Sequence, residues 1–206
     1  MGTATERGRF VVLEGGESVG KSTQAAWLAM RRGADLTFEP GGTRLGRELR
    51  SLLLGEAGVR LDDISEALLM AADRAQHVAE SIRPALEAGR DVVCDRYIGS
   101  SLAYQGYGRG LDVGTVRMLS EVATGGLWPD LIVLLDMDPQ RARDRGTGGS
   151  DRFEALGMDF HMRVRAGYLE LAAADPERWV VVDADRSSTE VRDDIAALVA
   201  DRLGWS

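Results

Sequence analysis

Phe10-Val11-Val12-Leu13-Glu14-Gly15-Gly16-Glu17-Ser18-Val19-Gly20-Lys21-Ser22-Thr23 is the stretch on which the fold turns. Four apolar residues, then glycines, then the helix-forming run Gln24 to Met30 read as a buried parallel strand, a tight loop and a helix. Gly15 to Ser22 fits the spacing G-x-x-x-x-G-K-[ST]. In that pattern backbone N–H groups cradle phosphates, the lysine reaches the β and γ oxygens, and the hydroxyl serves Mg²⁺. Of 25 basic residues one is lysine, Lys21, and the other 24 are arginine. The only ammonium therefore lies in the phosphate loop, where a compact three-donor charge suits a glycine cage better than a planar guanidinium.

The chain's 206 residues are enough to bury a full core as one domain. A net charge of −8 argues against a nucleic-acid or anionic-membrane partner, while an anionic small substrate needs only local arginines and amides. Cys94 lies within the apolar run Val92-Val93-Cys94 and is expected to be a core thiol, and one cysteine permits no internal disulfide. Met1 to Gly8 carries no apolar signal region, and the longest later apolar run is Leu131 to Leu135. Together these point to the reducing cytoplasm.

Working outward, Asp35 to Phe38 reads as a short strand and Glu39-Pro40-Gly41-Gly42-Thr43 as a loop, with Thr43 capping a helix that carries Arg44, Arg47 and Arg50 on one face. That arginine stripe is either solvated or a phosphate clamp. Leu61 to Leu86 has helical periodicity, with Met70, Arg74 and His77 beside its apolar stripe and His77 expected at the surface. Arg90 to Tyr97 is a strand ending on Asp95 and Arg96, where ligands of open α/β sheets sit. A helix expected from Ser100-Ser101 groups Ser101, Tyr104 and Gln105 within one turn. Asp112 to Thr124 is a helix and Asp130 to Asp136 a strand, and Asp138-Pro139 opens another helix. Residues 141 to 152 are arginine-rich around a Gly/Ser/Thr segment and are expected to form a mobile, exposed lid. A helix is expected from Phe153 to about Ala173, then strand Trp179 to Val182 and helix Ser188 to Leu203. Five alternations of strand and helix predict one α/β domain spanning 1–206: a doubly wound, five-stranded parallel sheet of P-loop NTPase type, flanked by helices.

The motifs together resemble the thymidylate kinase family of P-loop nucleoside monophosphate kinases over nearly the whole length. The resemblance is carried by Phe10 to Gly15, Gly20 to Thr23, Glu39 to Thr43, Arg74, the run Asp95-Arg96-Tyr97-Ile98-Gly99-Ser100-Ser101-Leu102-Ala103-Tyr104-Gln105-Gly106, and Asp151 to Glu154. It implies transfer of the γ-phosphoryl of ATP to dTMP, with Gly15, Gly16, Glu17, Ser18, Val19, Gly20, Lys21, Ser22 and Thr23 binding ATP. It implies that Arg96 holds the acceptor phosphate, Arg74 the thymine carbonyl and Glu17 the sugar 3′-hydroxyl. Tyr104 would crowd the 2′ position, and Ser101 and Gln105 would meet the base edge. Pro40, Arg50 and Met70 complete the expected acceptor set, and Ser22 and Asp95 are the expected Mg²⁺ partners. Lys21, Asp95 and Arg96 are the candidate catalytic residues, and a homodimer is implied, with the helix at 61 to 86 as candidate surface.

Three positions depart from the family pattern. Met70 replaces a stacking phenylalanine, Phe38 an arginine, and Ser18 occupies a P-loop position that one subgroup makes basic. Because Ser18 brings no charge, Arg145 and Arg152 of the lid are expected to supply the missing catalytic charge. A kinase for another deoxynucleotide or deoxynucleoside, and a nucleotide-switched binder, stand as alternatives.

Overall fold

A computed structural model describes residues 6–55, 58–146 and 152–205. Its elements run β1 (Phe10–Gly15), α1 (Lys21–Arg32), β2 (Asp35–Phe38), α2 (Arg44–Leu53), α3 (Asp63–His77), a π-helical turn (Val78–Ile82), α4 (Arg83–Glu87) and β3 (Val92–Asp95). They continue through α5 (Ile98–Ser101), a second π-helical stretch (Leu102–Gly108), α6 (Val113–Thr124), β4 (Leu131–Asp136), α7 (Pro139–Arg145), α8 (Met158–Ala174), β5 (Trp179–Asp183) and α9 (Ser188–Leu203).

All five strands are parallel, in the order β2-β3-β1-β4-β5, as the alternation of elements predicts. Val11 pairs with Val93 and Leu131, and Val12 with Cys94 and Ile132. Because side chains alternate across a strand, the Val12 row faces one buried layer and the Val11 row the other. The first layer packs beneath α3, α6 and α8, the second beneath α1 and α9. Strand order reverses at β1, so the crevice at its carboxyl end is the topological switch point at which ligands bind. That crevice begins at Gly15, the first residue of the phosphate loop.

Four local expectations change. His77 is wholly buried and bridges Glu39 and Thr37 (Nδ1 to Oε1 3.0 Å, Nε2 to Oγ1 2.5 Å), because Arg74 and His77 lie on the inner face of α3 with polar partners waiting there. The helix after β3 begins at Ile98 rather than Ser100 and runs directly into the second π-helical stretch. Residues 141 to 145 are helical, since Asp138 caps α7 by accepting from the Gln140 and Arg141 amides; lid residues 147–151 lie outside the described residues. The helix expected from Phe153 starts at Met158: Phe153 is buried in a turn with its ring edge-on to Tyr104, and extended Gly157 precedes the first helical turn. Among the described residues no helix is long and apolar enough to cross a membrane.

Candidate active site

The phosphate loop owes its shape to three left-handed positions, Gly15 (φ 145), Ser18 (φ 57) and Gly20 (φ 95). At Gly15 a Cβ would lie 2.5 Å from the Leu135 carbonyl oxygen, so only glycine lets β1 turn beside β4. Val19 packs into the apolar layer under α1 and pins the crest from below. Lys21 opens α1, is buried, and donates from Nζ to the Gly16 carbonyl. Burial, reinforced by the nearby Arg96 guanidinium, holds its ammonium down to about 8.

Ser22 Oγ donates to Asp95 Oδ2 at 2.5 Å, while Asp95 Oδ1 is buried without a hydrogen-bond partner. One residue on, Arg96 sits at φ 71, a backbone state uncommon outside glycine. Its Nη2 pairs with Glu17 Oε1 at 2.8 Å, and its Nη1 donates to the Gly15 carbonyl at 3.1 Å and to Ser100 Oγ at 3.2 Å. Tyr104 Oη donates to the same Glu17 oxygen at 2.6 Å, and its ring lies under the guanidinium at 5.1 Å. Burial alone would raise the Glu17 carboxyl, but Arg96 and Lys21 overcome it and hold the group at about 2.

The acceptor end of the cleft is built on Arg74, which is buried and has four of its five N–H groups engaged. It donates to Glu39 Oε2 (2.8 Å), the Tyr97 carbonyl (3.0 Å), Ser101 Oγ (3.1 Å) and Ser120 Oγ (3.3 Å). Asp73 beside it accepts from the Gly41 amide at 3.0 Å, and burial with neighbouring Glu39 pushes its carboxyl up to about 6. Gln105 donates to buried Glu66 at 2.8 Å, and Arg109 pairs with the same carboxylate at 2.9 Å. The arginine stripe on α2 divides. Arg44 and Arg47 are exposed, whereas Arg50 donates to the Pro40 carbonyl at 2.7 Å and stacks over Phe38 at 5.7 Å.

One cleft of about 590 Å³ is lined by Glu17, Ser18, Gly20, Lys21, Ser22 and Thr23 on the loop side, and by Pro40, Arg50, Met70, Arg74, Ser101, Tyr104 and Gln105 on the other, with Asp95 and Arg96 between. Arg145 lines it too, anchored by the Ala184 carbonyl at 2.8 Å. Arg152, expected beside the phosphates, pairs here with Glu66 and stacks on Phe153 at 5.5 Å, sharing with Arg109 the Oε2 oxygen of that buried carboxylate. Sequence reasoning missed Glu14, Glu39, Glu66, Ser100 and Tyr168. Glu14 carried a legible signal, an acid inside a fully buried strand; the others become visible only once the helices pack.

The thymidylate kinase family model matches residues 13–195. A thymidylate kinase of Leifsonia xyli subsp. xyli is 51% identical over 212 residues, covering 98% of this chain and 100% of that relative. One of Solidesulfovibrio magneticus is 50% identical over 208 residues, covering 94% and 100%. The crystal structure of thymidylate kinase from Ehrlichia chaffeensis superposes with a TM-score of 0.76 at 32% identity, covering 94% of this chain and 99% of that one.

Proposed function

The chain belongs to the thymidylate kinase family, and from that premise we propose how one cleft brings ATP and dTMP together. It is an ATP-dependent nucleotide kinase that transfers the γ-phosphoryl of ATP to dTMP, giving dTDP and ADP. The observation that carries the division of roles is the Lys21–Glu17–Arg96 arrangement, which brings a buried ammonium and a half-buried guanidinium to one carboxylate within a single cleft.

In this reading residues 15–23 bind the ATP phosphates, with Lys21 against the β and γ oxygens. Arg96 receives the acceptor phosphate, so that the two reacting groups meet between Lys21 and Arg96. Phosphoryl transfer needs little covalent help from a protein, and positioning with charge compensation supplies the rate. Arg74, fixed by Glu39, addresses the base together with Ser101 and Gln105. Glu17 addresses the 3′-hydroxyl, and Tyr104, immobilised against Glu17, fills the space of a 2′-hydroxyl. Pro40, Arg50 and Met70 complete the acceptor wall. Arg145 stands on the donor side.

Ser22 and Asp95 fit Mg²⁺. The free buried Asp95 oxygen and the adjacent hydroxyl are hard donors, and Mg²⁺ takes one or two such groups together with phosphate oxygens and water. When bound it would neutralise charge building on the phosphate oxygens.

We further read residues 1–206 as one domain acting in the cytoplasm as a homodimer. α3 and α6 pack side by side and leave Ile64 (40% exposed), Leu68 (50%), Met118 (57%) and Val122 (79%) as an apolar face for a second copy. Met70 at the base pocket keeps a broader deoxynucleotide specificity in view. Initial rates of ADP release with dTMP, dUMP, dGMP and thymidine as acceptors test the assignment. Preference for dTMP with negligible thymidine turnover supports it, and equal rates with dGMP refute the base pocket.

A further inference from the structure

Glu14 is the acidic member of β1 and is wholly buried. Such a carboxylate is costly unless donors meet it, and here four do. The Tyr97 and Ser100 amides donate to Oε1, both at 3.0 Å, while Ser100 Oγ (2.6 Å) and Tyr168 Oη (3.0 Å) reach Oε2. The same two hydroxyls stand beside Arg96 Nη1, at 3.2 Å and 3.5 Å. Tyr97 directly follows the left-handed Arg96, so Glu14 grips the chain immediately after the strained residue and the hydroxyls next to its guanidinium. The turn is wrapped on the carboxylate itself: a Cβ at Gly99 would lie 2.7 Å from Glu14 Oε1.

We infer that Glu14 is a positioning residue for the acceptor, acting through the Tyr97 amide, Ser100 and Tyr168 to set the direction of the Arg96 guanidinium. By accepting the hydroxyl protons it leaves their oxygen lone pairs turned toward Arg96. Glutamine at position 14 would offer N–H donors on one side, so at least one hydroxyl would have to reverse and the arginine would lose an acceptor. Tyr168 lies on α8, so the device also ties that helix to the acceptor site.

This inference rests on the reading of Arg96 as the acceptor-phosphate ligand, and one set of variants separates the two. Arg96→Ala, Glu14→Gln, Ser100→Ala, Tyr168→Phe and the Arg96→Ala/Glu14→Gln pair are assayed for kcat and for KM toward dTMP and ATP, with thermal melts as a folding control. Arg96→Ala is expected to lower kcat/KM for dTMP by roughly a hundredfold, as loss of a charged, oriented contact does. Glu14→Gln is expected to lower it about tenfold with the KM for ATP unchanged, and Tyr168→Phe and Ser100→Ala by smaller factors in the same direction. Glu14→Gln should add nothing once Arg96 is gone, because coupled residues are not additive. A purely structural residue would move both substrates and add in full. Full additivity, or an unchanged dTMP value in Glu14→Gln, overturns the inference. If that variant fails to fold, unchanged values in Tyr168→Phe and Ser100→Ala do so instead. An unchanged dTMP value in Arg96→Ala would overturn the parent reading of Arg96 itself.

Discussion

Arg96 Nη2 lies 2.8 Å from Glu17 Oε1, which joins the end of β3 to the crest of the phosphate loop before any nucleotide arrives. Under the proposed contact of Glu17 with the 3′-hydroxyl, Glu17→Ala should reduce the preference for dTMP over 3′-deoxy-dTMP toward unity, a loss of about 1–3 kcal/mol of discrimination. Ratios of kcat/KM for the two acceptors measure it, and a preference equal to wild type would remove Glu17 from the sugar. The same pair gives an acid limb. Because the folded-state carboxyl is depressed to about 2, its stabilisation is complete above the ordinary value of 4.5 and is lost as pH falls from there toward 2. The stability gap between wild type and Glu17→Gln should shrink between pH 5 and pH 3.

Lys21 is the single lysine of the chain, and Lys21→Arg tests shape at constant charge. A planar fork cannot reproduce a point charge inside the glycine cage, so kcat should fall by roughly three orders of magnitude. Turnover within tenfold of wild type would contradict this. Since the free ammonium titrates at about 8, ATP binding above that pH should take up a proton as the polyphosphate restores the charge. Calorimetry at pH 9 in two buffers of different ionisation enthalpy reads the uptake directly, and identical heats would refute it.

Arg74 holds Glu39 in the structure and is proposed to address the base, and one substitution tests both. Arg74→Ala should cost about 3–5 kcal/mol of stability, because it leaves Glu39 buried without its guanidinium. It should also narrow the gap between dTMP and other monophosphates, while ATP affinity holds. Urea titration and acceptor rates at low temperature separate the two effects, and an unaltered acceptor profile would exclude Arg74 from base recognition.

Arg145 and Arg152 are expected to differ. Arg145 lines the cleft with Lys21, so Arg145→Ala should lower kcat about tenfold or more with a small change in ATP Kd. Arg152 joins Glu66, the carboxylate that also orients Gln105, so Arg152→Ala should act chiefly on the KM for dTMP. A kcat loss confined to Arg152→Ala would show that this arginine leaves Glu66 for the phosphates during turnover.

The apolar face of α3 and α6 should be covered by a second copy in solution. Leu68→Glu combined with Val122→Glu places two like charges on it and should convert a dimer into monomers in sedimentation velocity. A wild-type chain that sediments as a monomer at micromolar concentration would dispose of the homodimer.

The phosphate loop, the five parallel strands and the cluster from Asp95 to Gln105 were legible in the sequence because each depends on local rules. Glycine spacing fixes a loop, continuous apolar runs fix buried parallel strands, and strand ends fix where ligands sit. What could not be read were contacts made across long separations by polar residues on inward faces. His77 looked like a surface residue because periodicity places a side chain on a face but does not say that Glu39 and Thr37 wait beneath it. Arg152 is expected at the phosphates because Ser18 brings no charge and the glycine-rich segment beside it could fold over ATP; its contact with a carboxylate from α3, 86 positions away, could not be read from the sequence. Glu14 was visible only as an acid within a strand, and its connection to Arg96 runs through Ser100 on α5 and Tyr168 on α8. The sequence by itself determined the chemistry available and the glycine loop between β1 and α1. The tertiary structure decided which charges meet, because a buried charge takes whichever partner packing brings within hydrogen-bond reach.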